Sequence, residues 1–227
     1  MHWEDIANNL DFLAKGLFMT CQLAFVSILG SSILGIIFGV ARHSKFPFVS
    51  WIATIYIEFV RSIPLILFIV FVHFGLLPYV LRIQTNFFLS AAVALIIFTA
   101  AYIAEIVRGG LKSIERGHTE AARSLGLNYF QMMAYVVLPL AISRMTPALV
   151  SQFIALIKDT SLASIIGLIE LTRAGEIVYS RTFHEFEILI FIAIIYFAIC
   201  YSLSILSRKL ESISSSKNPD AVVGYNQ

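Results

Sequence analysis

The amino-acid sequence predicts an all-α, polytopic membrane protein with about five transmembrane helices and short helices in the connecting segments. Of its 227 residues, 59% are hydrophobic and 13% are charged, whereas about a quarter of an ordinary soluble domain is charged. Several long stretches lack Asp, Glu, Lys and Arg, and about 20 apolar residues in a helix cross the hydrocarbon core of a bilayer. We therefore assign residues 1–210 to one transmembrane domain and residues 211–227 to a flexible polar tail.

The first predicted span covers residues 16–41. Ser27, Ser31, Gly35 and Gly39 recur at every fourth position, which places them along one face of a helix. Small residues on one face let two helices approach closely, so we assign this stripe to helix packing. The apolar run begins too late and is too long for a cleavable signal peptide, and we expect it to be retained as a span.

The second predicted span covers residues 63–81 and is preceded by two charged residues. Glu58 and Arg61 are three positions apart, so they share one helical face and could form an ion pair. A charge near the centre of a membrane helix costs about 2.5–3.5 kcal/mol on insertion scales. The two residues therefore form either a structural pair near a helix end or a polar wall of a path through the membrane, and the sequence leaves both open.

The third predicted span covers residues 83–104 and ends beside a second pair with the same spacing, Glu105 and Arg108. We assign this pair to structure. Thr99 and Tyr102 lie about one turn earlier and could line a cavity, although a tyrosine is equally suited to the membrane interface.

The segment after the third span, about residues 108–130, is charged and interrupted by glycines. Thr119 is a candidate N-cap, Glu120 in the first turn complements the helix dipole, and Gly126 is suited to ending a helix. The segment therefore predicts a short helix over residues 120–125, outside the membrane.

Ala121 and Ala122 are expected to leave the backbone of this short helix accessible. An exposed helix of small residues with nothing of its own to pack on suggests a docking element, because a helix laid into a partner's groove is a common mode of recognition. A solvated loop helix is an equally good interpretation of the residues alone.

The fourth and fifth predicted spans cover residues 133–157 and 188–207. The fourth contains two neutral polar residues, Ser151 and Gln152. A buried Gln needs a hydrogen-bond partner on a neighbouring helix or on a ligand. The apolar run at 162–169 is too short to cross, and we expect it to lie on one face of the membrane or to dip into it.

Lysine and arginine predict how the chain is oriented. Nine lie in the segments after the first, third and fifth spans, and five lie on the opposite side. The positive-inside rule then places the C-terminus in the cytoplasm and the N-terminus outside.

The sequence EAARSLG, residues 120–126, is followed by nine residues, Val136, one residue, and then Leu138 and Pro139. This pattern resembles the EAA loop of the permease subunits of ATP-binding-cassette (ABC) importers, with Val in place of the family's Ile. Three further segments, YIEFVRSIPLIL, AYIAEIVRGGLKSIERG and LIKDTSLASIIG, resemble the branch that imports polar amino acids, and they occur in the family's order.

The resemblance implies a multi-pass permease in the bacterial inner membrane. Glu120, Ala121, Ala122 and Gly126 would couple it to a cytoplasmic ABC ATPase dimer. The sequence has no G-x-x-x-x-G-K-[ST] phosphate-binding loop, so we expect ATP and Mg on the ATPase, no cofactor in this chain, and no catalytic or metal-binding residues.

The resemblance also implies several partners. These are a second permease subunit, identical or homologous, and an external solute-binding protein that delivers an amino acid to the permease. Membrane lipid is also expected around the spans, and no nucleic acid is expected. The candidate substrate-binding residues are Glu58, facing an ammonium group, together with Thr99, Tyr102, Ser151 and Gln152.

Lys158 and Asp159 stand at the far end of the fourth span. In one interpretation they are interfacial charges with local hydrogen bonds. In the other, Lys158 of one subunit meets Asp159 of a second subunit, and the pair forms a gate at the outer mouth.

The alternative function is a subunit of a secondary transporter or channel, which would also suit five spans with few internal charges. An intramembrane enzyme is disfavoured, because the five histidines are scattered and no H-E-x-x-H or G-x-S-x-G motif occurs.

Overall fold

The computed structural model describes residues 3–84 and 86–217, and every regular element within them is helical. Four helical segments are long and apolar enough to cross a membrane, and one bent helix pair supplies a fifth span. The predicted all-α fold with about five spans is confirmed. The elements are α1 (Glu4–Asn8), α2 (Leu10–His43), α3 (Pro47–Arg61), α4 (Leu65–Phe71), a π-helical turn (Val72–Val80), α5 (Phe87–Lys112), α6 (Arg116–Ser124), α7 (Tyr129–Met132), a second π-helical turn (Met133–Val137), α8 (Leu138–Asp159), a 3-10 helix (Thr160–Ile166), α9 (Leu171–Thr182) and α10 (Glu185–Lys217).

The contact between α2 and α5 forms the centre of the bundle. Ser27, Ser31, Gly35 and Gly39 are all buried on α2, and a Cβ atom added at Gly39 would lie 2.7 Å from the backbone oxygen of Ala104. The small-residue stripe is therefore a packing surface, as predicted. It allows α2 to approach the backbone of α5 closely.

The bundle has two ends. The C-terminal ends of α2 and α5 lie together, because Arg42 reaches Glu105, and we call this end, which leads into α6, the α6 end. At the opposite end, the α9 end, α1 and the start of α2 pack on α9 and the start of α10 through apolar side chains that include Leu13 and Leu171.

The second span is a broken helix rather than one continuous helix. α3 and the segment Leu65–Val80 meet at a bend of 103°. Pro64 lies at the break in an extended conformation, and it has no N–H to continue the hydrogen bonds of a helix. The predicted span, residues 63–81, covers only the second part. It omitted α3 because two charged residues near the end of that helix interrupted the uncharged run.

The fourth span is longer than the predicted 133–157. α7, the second π-helical turn, α8 and the 3-10 helix together form an apolar helical segment, Tyr129–Ile166. Ala163 and Ile166 of the 3-10 helix are buried in an apolar core formed mainly by α4, the first π-helical turn and α5. Residues 162–166 of the short run at 162–169 therefore form the end of this apolar helical segment, and a position on or in one face of the membrane stays a prediction.

α9 is an element that the sequence did not lead us to expect. Its N-cap, Glu170, is fully buried and accepts hydrogen bonds from the backbone amides of Thr172, at 2.9 Å, and Arg173, at 2.8 Å. The hydroxyl of Tyr196 on α10 also donates to it, at 3.1 Å. Burial raises the pKa of the Glu170 carboxyl, and these hydrogen bonds oppose the rise.

α10 forms the fifth span, and few of its side chains are buried within the subunit. The helix continues to Lys217, so the predicted tail at 211–227 begins in helical conformation. Its remaining residues, 218–227, lie outside the described part of the chain.

Candidate coupling loop and substrate-facing residues

Residues 120–124 of the EAARSLG segment form the last five residues of α6, which begins earlier than the predicted 120–125 and ends at Ser124. Its N-cap is Glu115. Thr119 is therefore not the N-cap that we predicted. Its hydroxyl donates instead to the backbone oxygen of Arg116, at 2.7 Å, within the helix, a local hydrogen bond that threonine often makes inside helices.

The two faces of α6 differ in exposure. Ala122 is only 3% exposed and belongs to an apolar cluster at the ends of α5 and α8 that includes Val107 and Met145. Glu120 and Ala121 are exposed. The expectation that both alanines expose the backbone is wrong for Ala122, because α6 packs on its own chain through that side.

Gly126 ends this segment, as predicted. Its φ is +79°, in the left-handed region, where glycine has no steric penalty. A Cβ atom placed there would meet nothing within 4 Å. The backbone conformation, and not crowding within the subunit, therefore favours glycine here.

Hydrogen bonds hold the chain on both sides of α6. Asn128 and Gln131 form a capping box that starts α7, and Arg144 of α8 donates a hydrogen bond to the backbone oxygen of Ser113. These contacts fix the chain on both sides of α6. The outward face of α6, which includes Glu120 and Ala121, therefore belongs to a helix whose position is fixed by contacts within the chain.

Five charged side chains from three helices are joined by ion pairs near the α6 end. Arg42 of α2 contacts Oε1 of Glu105, at 2.5 Å, and Oε1 of Glu58, at 2.8 Å. Arg108 also pairs with Glu105, at 2.9 Å, as predicted. The fifth member, Arg61, lies with one nitrogen 3.9 Å from Glu105.

The predicted pair between Glu58 and Arg61 is not formed in the part of the chain that the structure describes; Glu58 bonds to Arg42 instead. The sequence did not indicate Arg42, because it is 16 positions from Glu58 and 63 from Glu105. The i,i+3 and i,i+4 spacing rules apply only within one helix, so they cannot predict an ion pair between two helices.

The other candidate substrate residues lie on two helices, α5 and α8. Tyr102 is half-buried, and its ring centre lies 5.2 Å from the guanidinium carbon of Arg61. Thr99 is fully buried and its hydroxyl has no partner among the described residues, so it faces no cavity in this conformation. Ser151 is exposed and Gln152 is half-buried on α8.

Lys158 and Asp159 lie at the α9 end of α8. Lys158 is exposed and Asp159 is half-buried, and the salt bridges of the described residues do not include either side chain. The hydroxyls of Thr160 and Ser161 make local hydrogen bonds to backbone oxygens, one of them to Lys158. Among the described residues, the two charges therefore have no salt-bridge partner.

Comparison with known proteins gives a match over most of the chain. Residues 31–212 match the family described as binding-protein-dependent transport system inner membrane component. The probable glutamine ABC transporter permease protein GlnP of Bacillus subtilis (strain 168) is 42% identical over 206 residues, which cover 89% of this chain and 94% of the relative. The glutamine transport system permease protein GlnP of Escherichia coli (strain K12) is 36% identical over 209 residues, which cover 92% and 95%.

A solved structure matches this chain over a similar share of its length. The crystal structure of an amino acid ABC transporter with histidines contains a chain that is 32% identical to this one, with a TM-score of 0.86. The match covers 93% of this chain and 98% of the other. This chain therefore resembles ABC transporter permeases in both sequence and fold over nearly its whole length.

Proposed function

This chain belongs to the family of binding-protein-dependent transport system inner membrane components, and from that premise we propose that it is the permease subunit of an ATP-driven importer of a polar amino acid. The relatives support this class of substrate, since two are named for glutamine and the solved transporter was crystallised with histidines. Because those names differ, we propose the class and not one amino acid.

The observation that carries the proposal is the outward face of α6. Glu120 and Ala121 are exposed there, and Gly126 turns the chain beside them without filling space. A small, accessible face on a braced helix is suited to a cleft on a second protein. We propose that this protein is an ABC ATPase dimer, which holds ATP and Mg, and that its closure moves the spans through α6.

Two further partners complete the assembly. A single subunit supplies half of a pathway, so we propose that two permease subunits, identical or homologous, enclose it. A solute-binding protein delivers the amino acid at the α9 end. In this arrangement the α6 end and the C-terminus face the cytoplasm and the N-terminus faces outside, in agreement with the distribution of lysine and arginine.

The polar groups of the broken span support a substrate path near the α6 end. Glu58 is 57% exposed even though it accepts a hydrogen bond from Arg42, and Tyr102 lies close by against Arg61. We propose that Glu58 and Tyr102 face the substrate in this conformation. Ser151 and Gln152 would face it from α8.

Reconstitution tests the proposal. The permease is purified with its ATPase, placed in proteoliposomes with the binding protein outside, and assayed for uptake of L-glutamine, L-arginine and L-glutamate, which have neutral, cationic and anionic side chains. We expect uptake of at least one of them to require ATP on the ATPase side and to persist when ionophores dissipate ion gradients. Uptake that follows an ion gradient without ATP would instead support a secondary transporter.

A further inference from the structure

The ion-paired cluster near the α6 end carries unequal charge. It contains three guanidinium groups, those of Arg42, Arg61 and Arg108, and two carboxylates, those of Glu58 and Glu105. Arg42, Glu105 and Arg108 lie toward the C-terminal ends of α2 and α5, and Glu58 and Arg61 lie in the last turn of α3. The cluster therefore carries one more positive than negative charge.

The least engaged cation of the cluster is Arg61. Arg42 and Arg108 contact Glu105 at 2.5 and 2.9 Å, within hydrogen-bonding distance. The nearest nitrogen of Arg61 is 3.9 Å from Glu105, too far for a hydrogen bond. Glu105 is already occupied by two guanidinium groups, so the donors of Arg61 remain available for another anion.

Arg61 and Glu58 are presented together. They are three positions apart near the end of α3, and their side chains are 36% and 57% exposed. Among the described residues, the ion pair of Glu58 uses only its Oε1. The ring of Tyr102, 5.2 Å from the guanidinium carbon, holds Arg61 from one side. An available cation and a partly available carboxylate thus lie side by side.

We propose that Arg61 binds the α-carboxylate of the transported amino acid while Glu58 receives its α-ammonium group. A guanidinium recognises a carboxylate through two parallel hydrogen bonds, and the donors of Arg61 are not used by hydrogen bonds to Glu105. Both contacts are to groups that every α-amino acid has. This site therefore selects for a free carboxylate, and the discrimination between side chains takes place elsewhere. The inference rests on the proposed function, because it assumes that the ligand is an amino acid.

The test compares an acid with its amide. The full-length permease, purified with its ATPase in lipid nanodiscs, is titrated with L-glutamine and L-glutaminamide, and with L-arginine, L-glutamate and their α-amides. No binding protein is added, because it would impose its own selectivity. We expect the wild-type complex to bind an acid roughly 10- to 100-fold more tightly than its amide, as a charged hydrogen-bonded pair would provide.

Three variants separate recognition from structure. Arg61→Gln should bind acid and amide with equal, weak affinity, whereas Arg61→Lys should keep much of the preference. Arg181→Gln, which removes an exposed arginine of α9, should behave as wild type. Thermal unfolding of each complex, with and without ligand, reports on folding.

The inference is overturned if Arg61→Gln keeps the preference for the acid. Arg61 would then serve only the C-terminal end of α3, where a cation is favourable, and its loss would lower the thermal stability alone. Absence of any binding to the wild-type complex also overturns it. ATP-driven uptake in the presence of the binding protein would still support the proposed function, so the two failures are distinguishable.

Discussion

Gly35 of α2 lies so close to Ile103 of α5 that a Cβ atom at Gly35 would be 2.5 Å from Cγ2 of Ile103. Such a contact is far inside van der Waals distance, and the branched side chain of Ile103 has little freedom to move away. The close approach of the two central helices therefore depends on the absence of a side chain at Gly35.

Gly35→Ala should separate α2 from α5 and lower the free energy of unfolding by about 1–3 kcal/mol, the usual effect of overpacking. Gly109→Ala is the matched control, because Gly109 also lies in a helix but has nothing within 4 Å of an added Cβ. It should gain about 0.5–1 kcal/mol from helix propensity. Thermal unfolding of the purified proteins compares them, and equal midpoints would contradict the packing argument.

Gly126→Leu should abolish most ATP-driven uptake while the protein still inserts and folds. The substitution strains a left-handed residue by about 1–2 kcal/mol and adds bulk to the surface that we assign to the ATPase. Gly117→Ala, at another open position of α6, should retain uptake. Normal transport by the Gly126 variant would refute the assignment of this surface.

Glu120 and Ala122 should respond in opposite ways, because one is exposed and the other is buried. Glu120→Ala should reduce co-purification of the ATPase and uptake, with a change in stability within about 0.5 kcal/mol, as is usual at the surface. Ala122→Leu should destabilise the fold by about 1–3 kcal/mol through overpacking. If Glu120→Ala leaves both co-purification and uptake intact, this residue is not part of the coupling face.

Lys158 and Asp159 provide a test of the gate. If they pair across two identical subunits, Lys158→Asp and Asp159→Lys should each reduce uptake, because each places like charges opposite each other. The double variant restores opposite charges and should recover uptake. A double variant no better than either single variant would leave them as interfacial charges only.

Glu170 should make stability depend on pH. Its folded-state pKa is raised above the ordinary value by burial, so its neutral form is favoured in the fold. Stability should therefore be full below the ordinary glutamate pKa, about 4.3, and should fall as pH rises through the higher folded-state value. Glu170→Gln should remove this dependence in thermal unfolding measured across that range. A wild-type profile that rises with pH relative to the variant would mean that hydrogen bonding to the carboxylate prevails over burial.

The parts of the fold that depend on uninterrupted hydrophobicity were predictable, and those that depend on neighbouring helices were not. α2, α5 and α10 correspond to uncharged runs, and the stripe that includes Gly35 predicted close packing correctly. α3 and α9 were missed, because charged residues lie within them and their apolar faces pack against other helices. A criterion based on uncharged length cannot find such helices.

In the candidate site, too, local features could be predicted from the sequence, and contacts between helices could not. The existence of a short helix at EAARSLG and its termination before Gly126 could be predicted, since helix termination is a local property of the backbone. The start of that helix, four residues earlier than predicted, could not. Which face of that helix packs inward could not, because Ala122 is buried by residues from α5 and α8. The role of Arg42 escaped prediction for the same reason, since it unites Glu58 and Glu105 from distant parts of the sequence.

The 103° bend of the second span has a consequence for hydration. The first amides of α4, at Leu65, Ile66 and Leu67, have no partner within their own helix, and hydrocarbon cannot supply one. Unpaired backbone is tolerated at membrane depth only inside protein or beside water, and Ser62 at the break is exposed. We therefore expect water or solute, never lipid tails, to wet this corner of the molecule for as long as the bend persists.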